Sequence, residues 1–276
     1  MPEISVITTV HGRLDHLRQM RRGLARQGVH AEHVVVQMGG PSPWPDVVGA
    51  PAVVPVEIPV DDDEQGRPRL PLAAARNAGA AAAVGDLLVF LDVDCIPSSQ
   101  LLRRYAAAAR TARGLLCGPV AYLPEDFDAR VANEAALGAA AAPHPARPDP
   151  PAGQLLGEDR YELFWSLSFA IRRGDYEALG GFCEEFVGYG AEDTDLAFMA
   201  RELGTPFTWV GGAVAWHQYH PTQNPPRQHV EAIVRNATVF RERWGTWPMQ
   251  GWLRDFAQEG LVHWDPDRGE LRLPGD

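Results

Sequence analysis

The sequence contains no lysine. All 25 basic residues are arginines, set against 36 aspartates and glutamates, for a formal net charge of −11. That acidic balance excludes a nucleic-acid-binding surface, because a phosphate backbone needs a basic footprint. It leaves room for a small phosphorylated ligand, whose charge a local metal or arginine offsets. The missing lysine, beside abundant alanine, glycine and proline, reads as compositional bias rather than chemistry. Cysteine is scarce: Cys95, Cys117 and Cys183 are odd in number and far apart. This excludes a Cys-x-x-Cys zinc site and an even disulfide framework, and leaves buried apolar thiols. No apolar run approaches membrane-spanning length. The start, MPEISVITTV, lacks a basic stretch and a long apolar region, so no signal peptide is expected and the expected location is the cytoplasm.

What is present is enough for a sizeable core: 45% of the 276 residues are hydrophobic. The first half alternates strand and helix patterns. ISVITTV (4–10), HVVVQ (33–37), VVPVEIPV (53–60) and LLVFL (87–91) read as strands, the third as an edge or an interrupted strand because of its prolines. Between them lie a helical stripe of Leu14, Leu17, Met20 and Leu24, and a small-residue helix, LAAARNAGAAAAVG (72–85), closed by Gly85. Another helix begins at Gln100. Such alternation predicts an α/β fold with a mostly parallel, doubly wound sheet. The second half is richer in aromatics. FWSLSFAI (164–171), FTWV (207–210) and AVAWH (213–217) read as strands, and 173–181, 192–204 and 228–244 as helices. PHPARPDPPAG (143–153) holds five prolines in eleven residues and reads as a surface loop or a lid. With no clean linker and no repeat, the expectation is a single domain over 1–276: a ligand-binding half (1–122), a catalytic half (123–220) and a C-terminal helical extension (221–276).

Five Asp-x-Asp pairs occur, and position separates them. Only Asp92 and Asp94 directly follow a buried strand, on the edge where open α/β sheets bind ligands. Two carboxylates there suit a hard divalent cation; the plainer alternative is a solvated turn with Asp94 capping a helix. Glu192 and Asp193 open a helix after GYGA. They are either dipole-favoured surface charges or a general base that helix amides keep ionised. His217 and His220 sit three apart; a neutral imidazole joining a carboxylate shifts metal preference from magnesium toward manganese. Arg76 and Asn77 are out of character in an alanine helix. They form a buried ion pair and hydrogen bond, or reach the carboxylates or a phosphate.

Taken in order, these segments resemble the GT-A glycosyltransferases of the family 2 type, with a second half similar to galactosyltransferases. LAAARNAGAAAAVGDLLVFLDVDCIP resembles the family's A-R-N-x-G … G-D … F-L-D-x-D block. LGGFCEEFVGYGAEDTDLAFMARELG resembles its G-G-F … G-x-G-x-E-D-x-D-L block. AWHQYHP falls where the family carries a metal-binding histidine. The resemblance spans roughly residues 4–220. It implies a GT-A fold and transfer of a sugar from a nucleotide-diphosphate donor, UDP-linked as a first guess, to an acceptor hydroxyl. It implies Asp94 and His217 as metal ligands, with Asp92 a possible third and His220 the alternative histidine. Thr8, Thr9, Val10, Gln37, Arg76, Asn77, Asp92 and Val93 are implied on the donor side. Asp193 is implied as the base of an inverting reaction, and Glu192 as an acceptor contact, with Trp165 and Tyr189 as neighbouring aromatics. One stretch, VVVQMGGPSP, departs from the family: Gln37 and Met38 stand where it has an aspartate pair. A glutamine still offers a base edge both donor and acceptor. Two other functions share the sheet: a sugar-1-phosphate nucleotidyltransferase, disfavoured because VHGRLDHL has a single glycine and a single arginine, and a non-catalytic nucleotide-sugar-binding module.

Overall fold

A computed structural model describes residues 3–40, 44–63 and 66–275; residues 41–43 of the departing stretch lie outside this set. The chain runs through β1 (Ile4–Val10), α1 (Leu14–Leu24), β2 (Glu32–Met38), β3 (Val53–Ile58), the short β4 (Asp61–Asp62) and β5 (Pro68–Arg69), α2 (Leu72–Ala82), β6 (Leu87–Leu91) and β7 (Cys95–Pro97). It continues with α3 (Leu101–Ala108), β8 (Leu115–Cys117), β9 (Val120–Tyr122), α4 (Glu134–Ala140), β10 (Ala142–Pro143), β11 (Leu155–Glu158), β12 (Ser168–Arg172), α5 (Arg173–Leu179) and α6 (Glu192–Glu202). The last elements are β13 (Phe207–Val210), β14 (Ala215–His217), α7 (Val230–Trp244), α8 (Gln250–Gln258), β15 (His263–Asp265) and β16 (Glu270–Arg272).

Eight strands form the main sheet in the order β11-β13-β8-β12-β6-β1-β2-β3. The pairs of β1 with β2 and β6, β2 with β3, and β8 with β13 are parallel. β12 enters antiparallel between β6 and β8. Alternation along each strand divides the core. Val6, Val89 and Leu91 meet Leu17 and Met20 of α1 on one face; Ile7, Val36 and Phe90 meet α2 and α5 on the other. β3 is the edge strand that its prolines predict. A second sheet, β10-β9-β14-β7, stands beside the carboxyl ends of the main strands.

Three local expectations are corrected. Helix α2 ends at Ala82 rather than Gly85. The Arg173 guanidinium donates to the carbonyls of Ala80, Ala83 and Gly85, capping the helix from outside its own sequence. Gly85 is needed instead for close packing, since a Cβ there would lie 2.6 Å from Ser5 Oγ. The strand expected over 164–171 starts only at Ser168, because 161–163 coil into a 3-10 turn that buries Phe164. The C-terminal segment is helical only to Gln258 and then forms the β15–β16 hairpin. It has its own core of Ile233, Ala237, Trp247, Leu253 and Phe256. Asp195 latches it to α6, accepting 2.8 Å from Arg243 Nε and 2.7 Å from Trp244 Nε1.

Close approach of α2 to the sheet gives a first prediction. A Cβ on Gly79 would lie 2.5 Å from Ile7 Cγ2 and 2.9 Å from Val36 Cγ2. Overpacking costs about 1–3 kcal/mol and outweighs the gain in helix propensity of up to about 1 kcal/mol. Gly79→Ala is therefore expected to lose about 1 kcal/mol of unfolding free energy in a urea titration, and Gly79→Val more. A neutral Gly79→Val would mean the helix can lift off the sheet freely.

Candidate active site

The turn after β6 carries the site. Backbone bonds strap it from two sides: Asp92 N donates to Leu167 O at 3.0 Å, and Gln218 N to Asp94 O at 2.7 Å. Asp94 leads into β7 and does not cap a helix. Its carboxylate is 8% exposed. Oδ1 lies 3.5 Å from His217 Nε2, while Oδ2 lies 3.4 Å from His220 Nε2 and 2.6 Å from Arg13 Nη1. Both histidines thus converge on Asp94, one from the end of β14 and one just past it. One ligand atom from each of Asp94, His217 and His220 can be chosen so that all lie within 4.8 Å of one another. Asp94 Oδ1 is buried without a hydrogen-bond partner, an orphaned anionic atom beside the His217 imidazole. That donor set fits a divalent cation.

Electrostatics separate the two aspartates. Burial opposes ionisation of Asp94, but the His220 hydrogen bond and the charges of His217 and Arg13 outweigh it and hold the carboxyl at about 2. Burial also lowers the pKa of His217 itself and so favours its uncharged ring, and Arg13 is the arginine paired to Asp94. For Asp92, burial wins: its carboxyl rises to about 6, with the Asp94 and Glu192 charges adding and Arg76 opposing.

Arg76 joins the two acidic motifs. It is buried over the Phe182 ring, with Nη1 3.0 Å from Glu192 Oε1 and Nη2 3.4 Å from Asp92 Oδ1. Both readings of this arginine therefore meet: it is a buried ion pair, and it reaches the Asp-x-Asp turn. Glu192 keeps Oε2 buried and unpartnered beside it. Asp193, next along α6, accepts from Thr194 N at 2.7 Å. The helix amides do not keep it strongly acidic, contrary to the sequence expectation. Burial and then Glu192 push its carboxyl up to about 7, against Arg76 and the backbone donors.

Other expected contacts are committed elsewhere. Asn77 spends its whole amide on the protein: Oδ1 accepts from Tyr176 and Phe182 N, and Nδ2 donates to Phe182 O and Glu184. Thr8 is fully buried with its hydroxyl on His33. Gln37 donates to the Met38 and Gly39 carbonyls, with Oε1 buried and unpartnered. Val10 and Val93 are buried and Thr9 is 8% exposed, so none of the three presents its side chain openly to a ligand. Tyr189 is 40% exposed and stacks on His229 and Trp252 of the C-terminal segment, beside Asp193 and Glu192. Trp165 meets His144 edge-on and the Arg147 guanidinium at 5.0 Å.

Sequence reasoning missed Arg147 and Arg13. Arg147 sits in the proline-rich loop, is 7% exposed, and lies between Trp165 and Trp209. A loop anchored by a buried guanidinium is packed structure, and nothing local marks it. Arg13 had a weak signal: an arginine after glycine at the end of the first strand.

Comparisons with known proteins agree with the fold. Residues 65–179 match the model described as glycosyl transferase family 2, and residues 154–214 the one described as the N-terminal domain of galactosyltransferase. Two validoxylamine A glucosyltransferases, from Streptomyces hygroscopicus subsp. jinggangensis and subsp. limoneus, are 26% identical over 189 residues, covering 61% of this chain and 44% and 41% of theirs. The chain thus spans less than half the length of these relatives. Staphylococcus aureus TarS 1-349 in complex with UDP-GlcNAc superposes with TM-score 0.56 at 13% identity, over 87% of this chain and 66% of that one. GalNAc-T7 with UDP, GalNAc and Mn2+ superposes with TM-score 0.53 at 14% identity, over 94% and 58%. The mannosyltransferase PcManGT from Pyrobaculum calidifontis, with GDP-Man and Mn2+, gives 0.52 at 18%, over 94% and 70%. Among the described residues no helix is long and apolar enough to cross a membrane. The chain has the GT-A glycosyltransferase fold, with a family 2 match through its centre and a galactosyltransferase match overlapping and following it.

Proposed function

We propose that this chain is a metal-dependent, inverting glycosyltransferase that moves a sugar from a nucleoside-diphosphate donor, UDP-linked in the first instance, to an acceptor hydroxyl. One observation carries the reading. The Asp94–His217–His220 cluster and the Asp193 carboxylate lie on one edge of the sheet, joined through Asp92, Arg76 and Glu192. A donor needs charge stabilisation at its diphosphate and an acceptor needs a base, and the two ends of this chain of contacts supply one each.

Asp94 and His217 would hold the cation, with His220 as a further ligand. One carboxylate and two neutral imidazoles favour Mn2+ over Mg2+. An ion bound there would supply Lewis-acid neutralisation of charge on the leaving diphosphate. Arg76 is ion-paired to both Asp92 and Glu192, so its work is to set the spacing of the two motifs rather than to grip a phosphate. Asp193, with a carboxyl near 7, takes the acceptor proton as the acceptor oxygen bonds to the anomeric carbon. Direct attack needs no enzyme nucleophile, and inversion follows. Tyr189 and Trp165 flank the acceptor side, and Glu192 Oε2 is left to accept from an acceptor hydroxyl.

A thermal-shift matrix tests the reading. UDP, GDP, TDP and ADP are each added with and without Mn2+. A ligand bound only by the folded state raises Tm by mass action, and at 100 times its Kd contributes about 2.7 kcal/mol. UDP with Mn2+ is expected to raise Tm by several degrees, with little effect from either alone. No rise with any diphosphate in Mn2+ sinks the proposal; a rise with GDP instead reassigns the base.

A further inference from the structure

The metal carboxylate already carries a cation. Arg13 Nη1 lies 2.6 Å from Asp94 Oδ2. Its backbone is left-handed, φ 50° and ψ 35°, and follows Gly12 at φ 61°. Two consecutive left-handed residues reverse the chain between β1 and α1 and bring the Arg13 side chain to Asp94 across the strand ends. Glycine or asparagine would adopt this conformation at less cost. What the arginine adds is its side chain, 41% exposed along its length and bonded only at the tip to a carboxylate that is 8% exposed.

The two oxygens of Asp94 are used unequally. Oδ2 has Arg13 and lies 3.4 Å from His220 Nε2, while Oδ1 is buried with no hydrogen-bond partner, 3.5 Å from His217 Nε2. Arg13 is the one arginine paired to Asp94 among the described residues. A divalent cation seated on Oδ1 and the two imidazoles would bring two positive charges within a few ångströms of the guanidinium. Repulsion at that range is strong wherever water is largely excluded. Arg13 and the metal therefore compete for Asp94. The arm is long and half-exposed, so it can leave without unfolding anything. A diphosphate arriving with the metal offers it a bidentate partner that matches its planar fork.

We infer that Arg13 is a placeholder cation: it neutralises Asp94 while the site holds no metal, and moves to the donor diphosphate when metal and nucleotide bind. This rests on the metal and donor reading proposed above. It makes the two ligands cooperative. Metal alone must displace Arg13, whereas metal with a diphosphate gives Arg13 a new partner, and the coupling is reciprocal.

The test separates the steps. Mn2+ binding without nucleotide is followed by electron paramagnetic resonance of the free ion, for wild type, Arg13→Ala, Arg13→Gln and Arg13→Lys. UDP binding at saturating Mn2+ is then measured by calorimetry. Losing a partly screened competitor should tighten Mn2+ binding roughly tenfold in the Ala and Gln variants, and losing a phosphate contact should weaken UDP by roughly tenfold. The Lys variant, keeping the charge, should stay near wild type in Mn2+ affinity. Unchanged or weaker Mn2+ binding in both neutral variants, or undiminished UDP binding, overturns the inference. A wild type that binds no Mn2+ either alone or with UDP overturns the metal reading itself and the inference with it, while wild-type binding equal to that of the variants overturns the inference alone.

Discussion

Asp193→Asn is expected to lower kcat by about a thousandfold while leaving the dissociation constant of the donor close to wild type. Removing a positioned general base costs roughly 100- to 10,000-fold. The loss should fall on kcat rather than KM, because the proton moves only as the acceptor attacks. Asparagine keeps an oxygen for Thr194 N, so the start of α6 need not shift. The wild-type profile is a second readout. With its carboxyl near 7, Asp193 is protonated and idle in acid. The logarithm of kcat/KM should rise with unit slope up to about pH 7 and then level off, and the asparagine variant should lack that limb. A wild-type profile flat from pH 5 to 8 would remove Asp193 from this role.

Stability gives a third sign. The folded-state value of Asp193 lies above its ordinary value of 3.8. Between the two, the folded state binds more protons than the unfolded one. The stability held by that retained proton is complete below about 4 and is lost as pH rises through about 7. Asp193→Asn escapes that loss. At pH 8 it should be more stable than wild type, by an amount of order 1 kcal/mol once solvent screening is allowed for. A variant that is inactive and also less stable would be a folding casualty, with nothing to say about the base.

Much of the site was legible because it is written in short, contiguous stretches. LLVFLDVDC states a buried strand and the carboxylates that follow it, and the structure has Asp92 and Asp94 at that strand's end. Arg76 stood out as a charge in an alanine helix, which forces a partner. The rest depends on long-range pairing. β12 joins β6 across some eighty residues of chain, and no local pattern specifies its antiparallel entry. Helix α2 is stopped by Arg173, nearly a hundred residues away. The Asp193 carboxyl was misjudged because helix amides are visible in sequence, whereas the burial and neighbouring charge that outweigh them are not. Thr8 and Asn77 fall at motif positions and Gln37 stands where the family has an aspartate, yet Thr8 is spent on His33, the Gln37 amide nitrogen on backbone carbonyls, and Asn77 on Tyr176 and the 182–184 segment. A motif fixes where a residue lies, and packing decides which way its side chain is used.

Asp94→Asn is expected to be as damaging as loss of the base, through a different step. The variant keeps the shape of the turn and its backbone bonds to Gln218, but loses the anion that two imidazoles and Arg13 surround. Its amide can donate toward those groups as readily as accept, which is wrong for a cation. Mn2+ affinity should fall at least 100-fold, since removing even an indirect support of a metal ligand costs about 10- to 100-fold. Transfer should fall with it, and added Mn2+ should restore little. The Asp94 carboxyl sits at about 2, below the ordinary value of 3.8, so its pairing stabilises the fold above about pH 4 and is lost as pH falls through about 2. Arg13 is well exposed, so breaking the pair should cost only about 1–2 kcal/mol at neutral pH. That modest cost allows the variant to be purified folded and assayed. The pattern to look for is a folded protein that binds Mn2+ poorly and turns over poorly, opposite in its Mn2+ response to Arg13→Ala. Undiminished Mn2+ binding by a folded Asp94→Asn would mean that the metal, if bound at all, sits elsewhere.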